Sequence, residues 1–158
     1  MDCFLQIENR EAVLSRTLSE LGPGFLDMLG TPILSNIIIV IVEDHPDTRS
    51  SLTQFLHRQG ATVVVSSDAF GGLQAIKEHH PNLVLSDINL PHRDGFELLG
   101  DIRALGTEDG GMVPVIAMTA FSDIIDPNHT IAAGFQAHLD KPFGPEQLLK
   151  AIKLVLKE

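Results

Sequence analysis

The 158-residue chain contains no tryptophan and no tyrosine, which removes the usual handle for intrinsic fluorescence. It has one cysteine, Cys3, so an internal disulfide is excluded and a reducing compartment is the natural expectation. Basic residues are scarce, with 11 Lys plus Arg against 21 Asp plus Glu and a formal net charge of −10. That sign is wrong for non-specific attraction to DNA, RNA or anionic lipid, so no nucleic-acid and no membrane partner is expected. Long hydrophobic stretches are also missing. The longest unbroken apolar run, Ile37–Val42, has six residues, whereas a helix needs about 20 to span a bilayer. The first residues carry Asp2 and no early Lys or Arg, so a secretory n-region is not expected. These absences predict an acidic, cytoplasmic, single-domain chain, long enough to bury a full core without staples.

What is present is a rhythm. Five short apolar runs recur at Ile37–Val42, Ala61–Val65, Leu83–Leu85, Val113–Met118 and Phe135–Leu139. They are too short for typical helices, and their hydrophobicity is continuous rather than alternating, as in strands buried on both faces. Between them lie helical patterns. Pro46–Gln59 carries Leu52, Phe55 and Leu56 on one stripe and stops at Gly60, and Phe70–His79 follows Asp68 and ends before Pro81. Asp94–Leu105 stops at Gly106, and Pro145–Leu156 places Leu148, Leu149, Ile152 and Val155 on one face. Asp126-Pro127 reads as the cap and first residue of a helix of about two turns before Gly134. The order βαβαβαβαβα predicts an open, doubly wound parallel sheet with helices on both faces.

Residues 1–35 stand apart as an N-terminal extension to a domain at 36–158. Asn9–Leu21 has the spacing of a helix and Gly22-Pro23-Gly24 breaks it. A leader without fixed structure and an amphipathic arm both fit this pattern.

Acidic residues gather at strand ends. Glu43-Asp44 follows the first strand and Asp87 the third. In an open α/β sheet the carboxyl ends of the strands form the ligand crevice where strand order reverses. With the order 2-1-3-4-5, strands one and three are neighbours there and the three acids converge. Three carboxylates together repel one another unless a cation intervenes, and oxygen-only donors favour Mg²⁺ over Zn²⁺. The alternative is that each acid merely caps the next helix. The fourth strand ends in Met118-Thr119-Ala120 and the fifth in Asp140-Lys141-Pro142-Phe143. A carboxylate nucleophile, a hydroxyl, an ammonium and a divalent cation are the parts needed to receive a phosphoryl group.

Val42-Glu43-Asp44, Leu85-Ser86-Asp87-Ile88-Asn89-Leu90-Pro91 with Asp94-Gly95, Met118-Thr119-Ala120, Ala132-Ala133-Gly134 and Lys141-Pro142-Phe143 together resemble the receiver domain of two-component response regulators. The resemblance covers residues 37–158 and implies the flavodoxin-like α/β fold, a five-stranded parallel sheet of order 2-1-3-4-5. It further implies that Asp87 is the phosphoacceptor. Asp44 and Asp87 would bind Mg²⁺ directly with the backbone carbonyl of Asn89, and Glu43 would act through metal-bound water. Thr119 corresponds to the switch hydroxyl and Lys141 to the phosphate-contacting lysine, with a cis Lys141–Pro142 bond.

The function so implied is that of a single-domain phosphoacceptor switch rather than an enzyme, with self-catalysed transfer and autodephosphorylation. A histidine kinase or phosphotransfer protein would supply the phosphoryl group, and a downstream protein or a homodimer would receive the signal. A detached receiver of a hybrid sensor kinase or a relay carrier is the alternative. An Asp-nucleophile phosphatase fits less well, because Asn89 stands where a second Asp is usual. His138 departs from the family, which usually has Tyr or Phe three residues before the Lys, and is a candidate switch residue. The loop Ala120–Asp126 places two large apolar residues, Ile124 and Ile125, next to each other on a short turn. At least one is expected to be exposed, forming an output surface with His138 and the outer face of the last helix. The eight Phe are expected mostly in the core.

Overall fold

The structure, a computed structural model, describes residues 32–121 and 124–157. The helix expected over 9–21, and the extension up to residue 31, lie outside the described residues. One compact unit begins at Leu34. Its strands are β1 (Ile38–Val42), β2 (Thr62–Ser66), β3 (Leu83–Asp87), β4 (Val115–Thr119) and β5 (Ala137–Asp140). Its helices are α1 (Pro46–Arg58), α2 (Ala69–His79), α3 (Gly95–Arg103), α4 (Pro127–Ala133) and α5 (Pro145–Leu156), with a single 3₁₀ turn at Thr107–Asp109. All strand pairs are parallel, in the order β2-β1-β3-β4-β5. This is the doubly wound order the sequence led us to expect.

Strand alternation divides the core into two layers. Val40, Val42 and Val84 point to one face and pack with Ile76 of α2 and Leu98, Leu99 and Ile102 of α3. Ile39, Ile41, Leu83, Leu85, Ile116 and Met118 point to the other and pack with Leu52 and Leu56 of α1 and Leu148 and Ile152 of α5. Every residue of β3 and β4 is buried, as befits central strands covered twice.

The helix starts are set locally. The Asp68 carboxylate accepts the Gly71 N–H at 2.7 Å, and Asp126 accepts that of Asn128 at 2.9 Å. Asp94 is the cap of α3 rather than its first residue. It accepts from Glu97 N–H at 2.9 Å while Glu97 accepts from Asp94 N–H at 2.9 Å, a reciprocal capping box. α3 ends at Arg103, two residues before the expected Leu105. The Arg103 guanidinium turns back to the carbonyls of Gly111 (3.0 Å) and Val113 (2.7 Å) and to Gln136 Oε1 (3.2 Å), tying α3 to the segment before β4 and to the entry of β5. Burial lowers the pKa of this guanidinium.

Two glycines are required by close approach. A Cβ at Gly72 would lie 2.6 Å from Val42 Cγ2, and one at Gly95 would lie 2.7 Å from both the Asp87 carbonyl oxygen and Ile88 Cα. Gly72 lets α2 rest on β1, and Gly95 lets α3 start against the end of β3. The expectation for the phenylalanines needs correction. Among the described residues Phe135 is buried, whereas Phe70 is 81% and Phe121 45% exposed. Phe55, Phe96 and Phe143 are half-buried at the edges of the two layers. The central strands already fill the interior with β-branched and leucine side chains, so the rings are left at the margins.

Candidate functional site

The register of the central strands assembles the site. Val42 is opposite Ser86, so the next residue of each chain segment, Glu43 and Asp87, emerges at the same end of the sheet. β4 and β5 end alongside, with Thr119 opposite Asp140, which delivers Lys141 to the same edge. Carboxylate oxygens of Glu43, Asp44 and Asp87 lie within 4.8 Å of one another. None of the three caps the following helix: α1 is preceded by His45 and α3 by Asp94. The capping alternative therefore fails for these acids.

The acids are not equivalent. Glu43 is fully buried, Asp87 is 6% exposed, and Asp44 faces solvent. Lys141 Nζ donates to Glu43 Oε2 at 2.5 Å and to Asp87 Oδ2 at 3.2 Å. The remaining oxygens are also held. Glu43 Oε1 accepts the His45 N–H at 3.1 Å, and Asp87 Oδ1 accepts the Asn89 N–H at 3.0 Å. Both buried carboxylates are thus fixed in plane by one lysine and one backbone amide each. The backbone of Lys141 is anchored by its own N–H to the Thr119 carbonyl at 2.7 Å, and its bond to Pro142 is cis.

Burial raises the pKa of Glu43 first of all, and the Asp87 charge adds to this; the hydrogen bonds from Lys141 and His45 oppose the shift without cancelling it. For Lys141 burial alone acts downward. The hydrogen bond to Glu43 and the fields of Asp87 and Glu43 outweigh it, so its pKa stands above the ordinary value. The charges of this site are therefore mutually dependent, with one ammonium serving two buried carboxylates.

Glu43, Asp44, His45, Thr48, Asp87, Asn89, Phe121 and Lys141 are among the residues lining an open cleft of about 280 Å³. Thr119 is fully buried at the end of β4, where its Oγ1 accepts the Phe121 N–H at 3.0 Å. Ile124 is 81% exposed, while Ile125 packs against the core beneath, so one of the pair faces out as expected. The His138 ring is turned in, its side chain 5% exposed, between Thr130 and Asp140. Two contributors escaped the sequence reading. Arg49 of α1 donates to the carbonyls of Glu43 (2.8 Å) and Asp44 (3.3 Å). Phe121 forms one wall of the cleft. Arg49 lies one turn into an amphipathic helix, and nothing in its spacing signals that it bends back to the loop before it.

The model of the response regulator receiver domain family matches residues 39–153. The 14.6 kDa protein in the sodA1 3' region of Leptolyngbya boryana is 36% identical over 120 residues, which cover 76% of this chain and 90% of that protein. The transcriptional regulatory protein KdpE of Mycobacterium tuberculosis is 29% identical over 120 residues, covering 76% of this chain but only 51% of KdpE. The chain therefore spans about half the length of that regulator. Among solved structures, the receiver domain of sensor histidine kinase PA1611 from Pseudomonas aeruginosa, with a magnesium ion coordinated in its active site cleft, superposes with a TM-score of 0.71 at 27% identity. The match covers 78% of this chain and 100% of that one.

The shared lysine gives a pH dependence. Glu43 has a folded pKa above its ordinary 4.5, so its contribution to stability is fully present below pH 4.5 and falls as pH rises through the raised value. Lys141, also raised, contributes fully below its ordinary 10.5 and loses that contribution as pH climbs through its higher folded value. Urea midpoints followed by circular dichroism in EDTA, from about pH 4 to about pH 8, should fall less steeply in Glu43→Gln than in the parent. Lys141→Met should lose about 3 kcal/mol at neutral pH, because two buried carboxylates then face each other without a cation. Identical pH profiles for parent and Glu43→Gln would contradict this account.

Proposed function

Because the chain belongs to the response regulator receiver domain family, we propose that it works as a phosphoacceptor switch of a two-component phosphorelay, with Asp87 as the acceptor. An Asp87 carboxylate oxygen attacks the phosphorus of a phosphohistidine, the P–N bond breaks, and the departing imidazole takes a proton. Hydrolysis of the acyl phosphate then returns the carboxylate and inorganic phosphate. The donor is a histidine kinase or a phosphotransfer protein. Domains of this family are switches rather than enzymes in the ordinary sense, and in this reading both transfer and autodephosphorylation are self-catalysed.

The observation that carries the proposal is Lys141 Nζ between Glu43 and Asp87. A single cation placed against the acceptor carboxylate is positioned to meet an incoming phosphoryl oxygen. Thr119, at the neighbouring strand end, is the proposed switch hydroxyl: its oxygen accepts the Phe121 N–H, and its own O–H is the donor that would engage that group. The oxygen-only donor set of Glu43, Asp44 and Asp87 fits Mg²⁺. Asp44, Asp87 and the Asn89 backbone carbonyl are the proposed direct ligands, with Glu43 acting through water. When bound, the ion supplies positive charge beside the phosphoryl oxygens.

An adjoining groove of about 480 Å³ runs from Lys141 past Phe143 to Asp47, Ser51 and Leu52 of α1. It offers the donor protein an apolar floor with a polar rim next to the acceptor. We assign residues 36–158 to the receiver and 1–35 to an extension. A cytoplasmic location is consistent with the finding that no helix among the described residues is long and apolar enough to cross a membrane. The alternative, the receiver of a hybrid sensor kinase or a relay carrier, is favoured by one observation, the likeness to the PA1611 receiver domain.

Incubation of the protein with Mg²⁺ and a small phosphodonor, followed by intact mass and peptide mapping, should place one phosphoryl group on Asp87. Asp87→Asn should abolish it, and a stable phosphate on another residue of that variant would overturn the assignment.

The proposed exit for the signal is the surface around Ile124. Phe121 and Ile131 stand exposed on the same loop and helix, and Leu154 on the outer face of α5. Ile125 supports the loop from within, and His138 communicates with this surface through α4 rather than touching a partner. Burying an isoleucine is worth about 1.5–3 kcal/mol. Ile124→Ser with Ile125→Ser should therefore weaken homodimerisation or target binding of the phosphorylated form while Asp87 is still phosphorylated. Unchanged association in ultracentrifugation and pull-down would place the output surface elsewhere.

A further inference from the structure

Six of the seven histidines are exposed, and His138 alone is turned inward, with its side chain 5% exposed. Its Nδ1 lies 2.9 Å from Thr130 Oγ1 and its Nε2 lies 2.8 Å from Asp140 Oδ1. Thr130 Oγ1 is also 2.7 Å from the Pro127 carbonyl, to which it donates. A hydroxyl has one proton. With that proton on the Pro127 carbonyl, the Thr130 oxygen can only accept from Nδ1. A carboxylate likewise only accepts. Both ring nitrogens thus face acceptors, and only the doubly protonated imidazolium donates to both at once.

The partner on the helix matters. Thr130 is the only buried residue of the seven-residue α4. A helix of two turns has little cohesion of its own and depends on what its buried face touches. Here the buried face is one threonine, gripped from β5 by His138. In the neutral ring with its proton on Nε2, the bond to Asp140 persists but loses the positive charge on its donor. Nδ1 then demands a proton from Thr130, which must release the Pro127 carbonyl at the first residue of α4. With the proton on Nδ1 instead, the Thr130 bond survives and Nε2 has no proton for Asp140. Either way one hydrogen bond is lost and a charge-assisted one is weakened.

We propose that His138 is a protonation-dependent latch between α4 and β5, closed when the imidazolium donates to both Thr130 and Asp140 and loosened when the ring is neutral. The charged surroundings are sparse. Asp140 is the acidic group on β5. α4 offers His129, whose ring packs tilted against Phe96 with ring centroids 5.2 Å apart. α3 offers Arg103, bonded to Gln136 two residues before His138. β4 from Val115 to Thr119 has no titratable side chain. α5, with Glu146, Lys150 and Lys153 and with Lys157 just after it, packs on the opposite face of the sheet through Leu148 and Ile152. Asp140, with a half-exposed side chain, is the opening through which solvent reaches the latch. The latch depends on this geometry alone and does not require Asp87 to accept phosphate.

Hydrogen exchange on the full chain tests it, reading the amides of 130–133 relative to those of α2 after correction for intrinsic rates. Opening of α4 should rise about tenfold relative to α2 between about pH 6 and about pH 8, as a charged hydrogen bond gives way to a neutral one. His138→Gln should remove this dependence, and Asp140→Asn, a change on the open side of the latch, should reduce it. His129→Gln should keep it. Ring ¹⁵N shifts at about pH 6 should report protons on both nitrogens of His138. A pH-independent ratio in the parent, full dependence in both His138→Gln and Asp140→Asn, or an unprotonated Nδ1 at about pH 6 would overturn the latch.

Discussion

The contact of Lys141 with Glu43 and Asp87 joins residues 98 and 54 positions apart, and the rest of the fold is arranged to make it possible. A glutamate with no solvent exposure is costly to ionise, and a second carboxylate beside it increases the cost. One ammonium offsets both. It can do so only if the ends of β1, β3 and β5 fall on one edge of the sheet, which the parallel order β2-β1-β3-β4-β5 provides. The two core layers hold those strands in register, and Gly95 lets α3 start against the carbonyl of Asp87, so the end of β3 is backed by packed structure.

That arrangement leaves the site short of positive charge. Three acids share one lysine among the lining residues, since Arg49 is committed to backbone carbonyls of the loop. A site with this imbalance is receptive to a hard cation on its open side, where Asp44 faces solvent, and it is closed on its inner side, where Glu43 is buried. The same imbalance explains why a phosphoryl group would need such an ion: its oxygens bring more negative charge into a cleft that already has too much. The signal path proposed from here runs through β4 and β5. Thr119 and Lys141 are joined by a backbone hydrogen bond, and the next elements outward are the Ile124 loop and the short helix held by His138.

The alternation of strands and helices and the acids at strand ends were legible because they depend on local pattern: apolar runs of three to six residues, turn residues between them, and charges placed at run ends. The strand order, and with it the convergence of the acids, came from the family resemblance. That one of Ile124 and Ile125 is exposed was legible from the difficulty of turning two neighbours inward on a short loop, but which of them was not. Other features depend on contacts between distant segments and leave little trace in the pattern. Arg103 reads as an ordinary charge at the end of a helix, yet it gathers carbonyls from Gly111 and Val113. Gly72 sits within a helical pattern without marking its own role, yet it is the point where α2 touches Val42. His138 was singled out by departure from a family pattern, but its partners were not visible. Thr130 lies eight residues earlier on a helix whose orientation only the folded structure supplies. The phenylalanines were misplaced because hydrophobicity does not say which residues fill a core that valine, isoleucine and leucine have already filled.

The central claim is that the buried carboxylates and Lys141 form a site completed by a divalent cation bound at Asp44. Calorimetry tests it directly, since the chain lacks Trp and Tyr and gives no convenient fluorescence signal. Mg²⁺ should raise the thermal midpoint by mass action, with about 2.7 kcal/mol of added stability at one hundred times the dissociation constant. In Asp44→Ala, a change on the exposed side of the site, that rise should largely vanish. A midpoint in the parent protein that does not respond to Mg²⁺ would contradict the account.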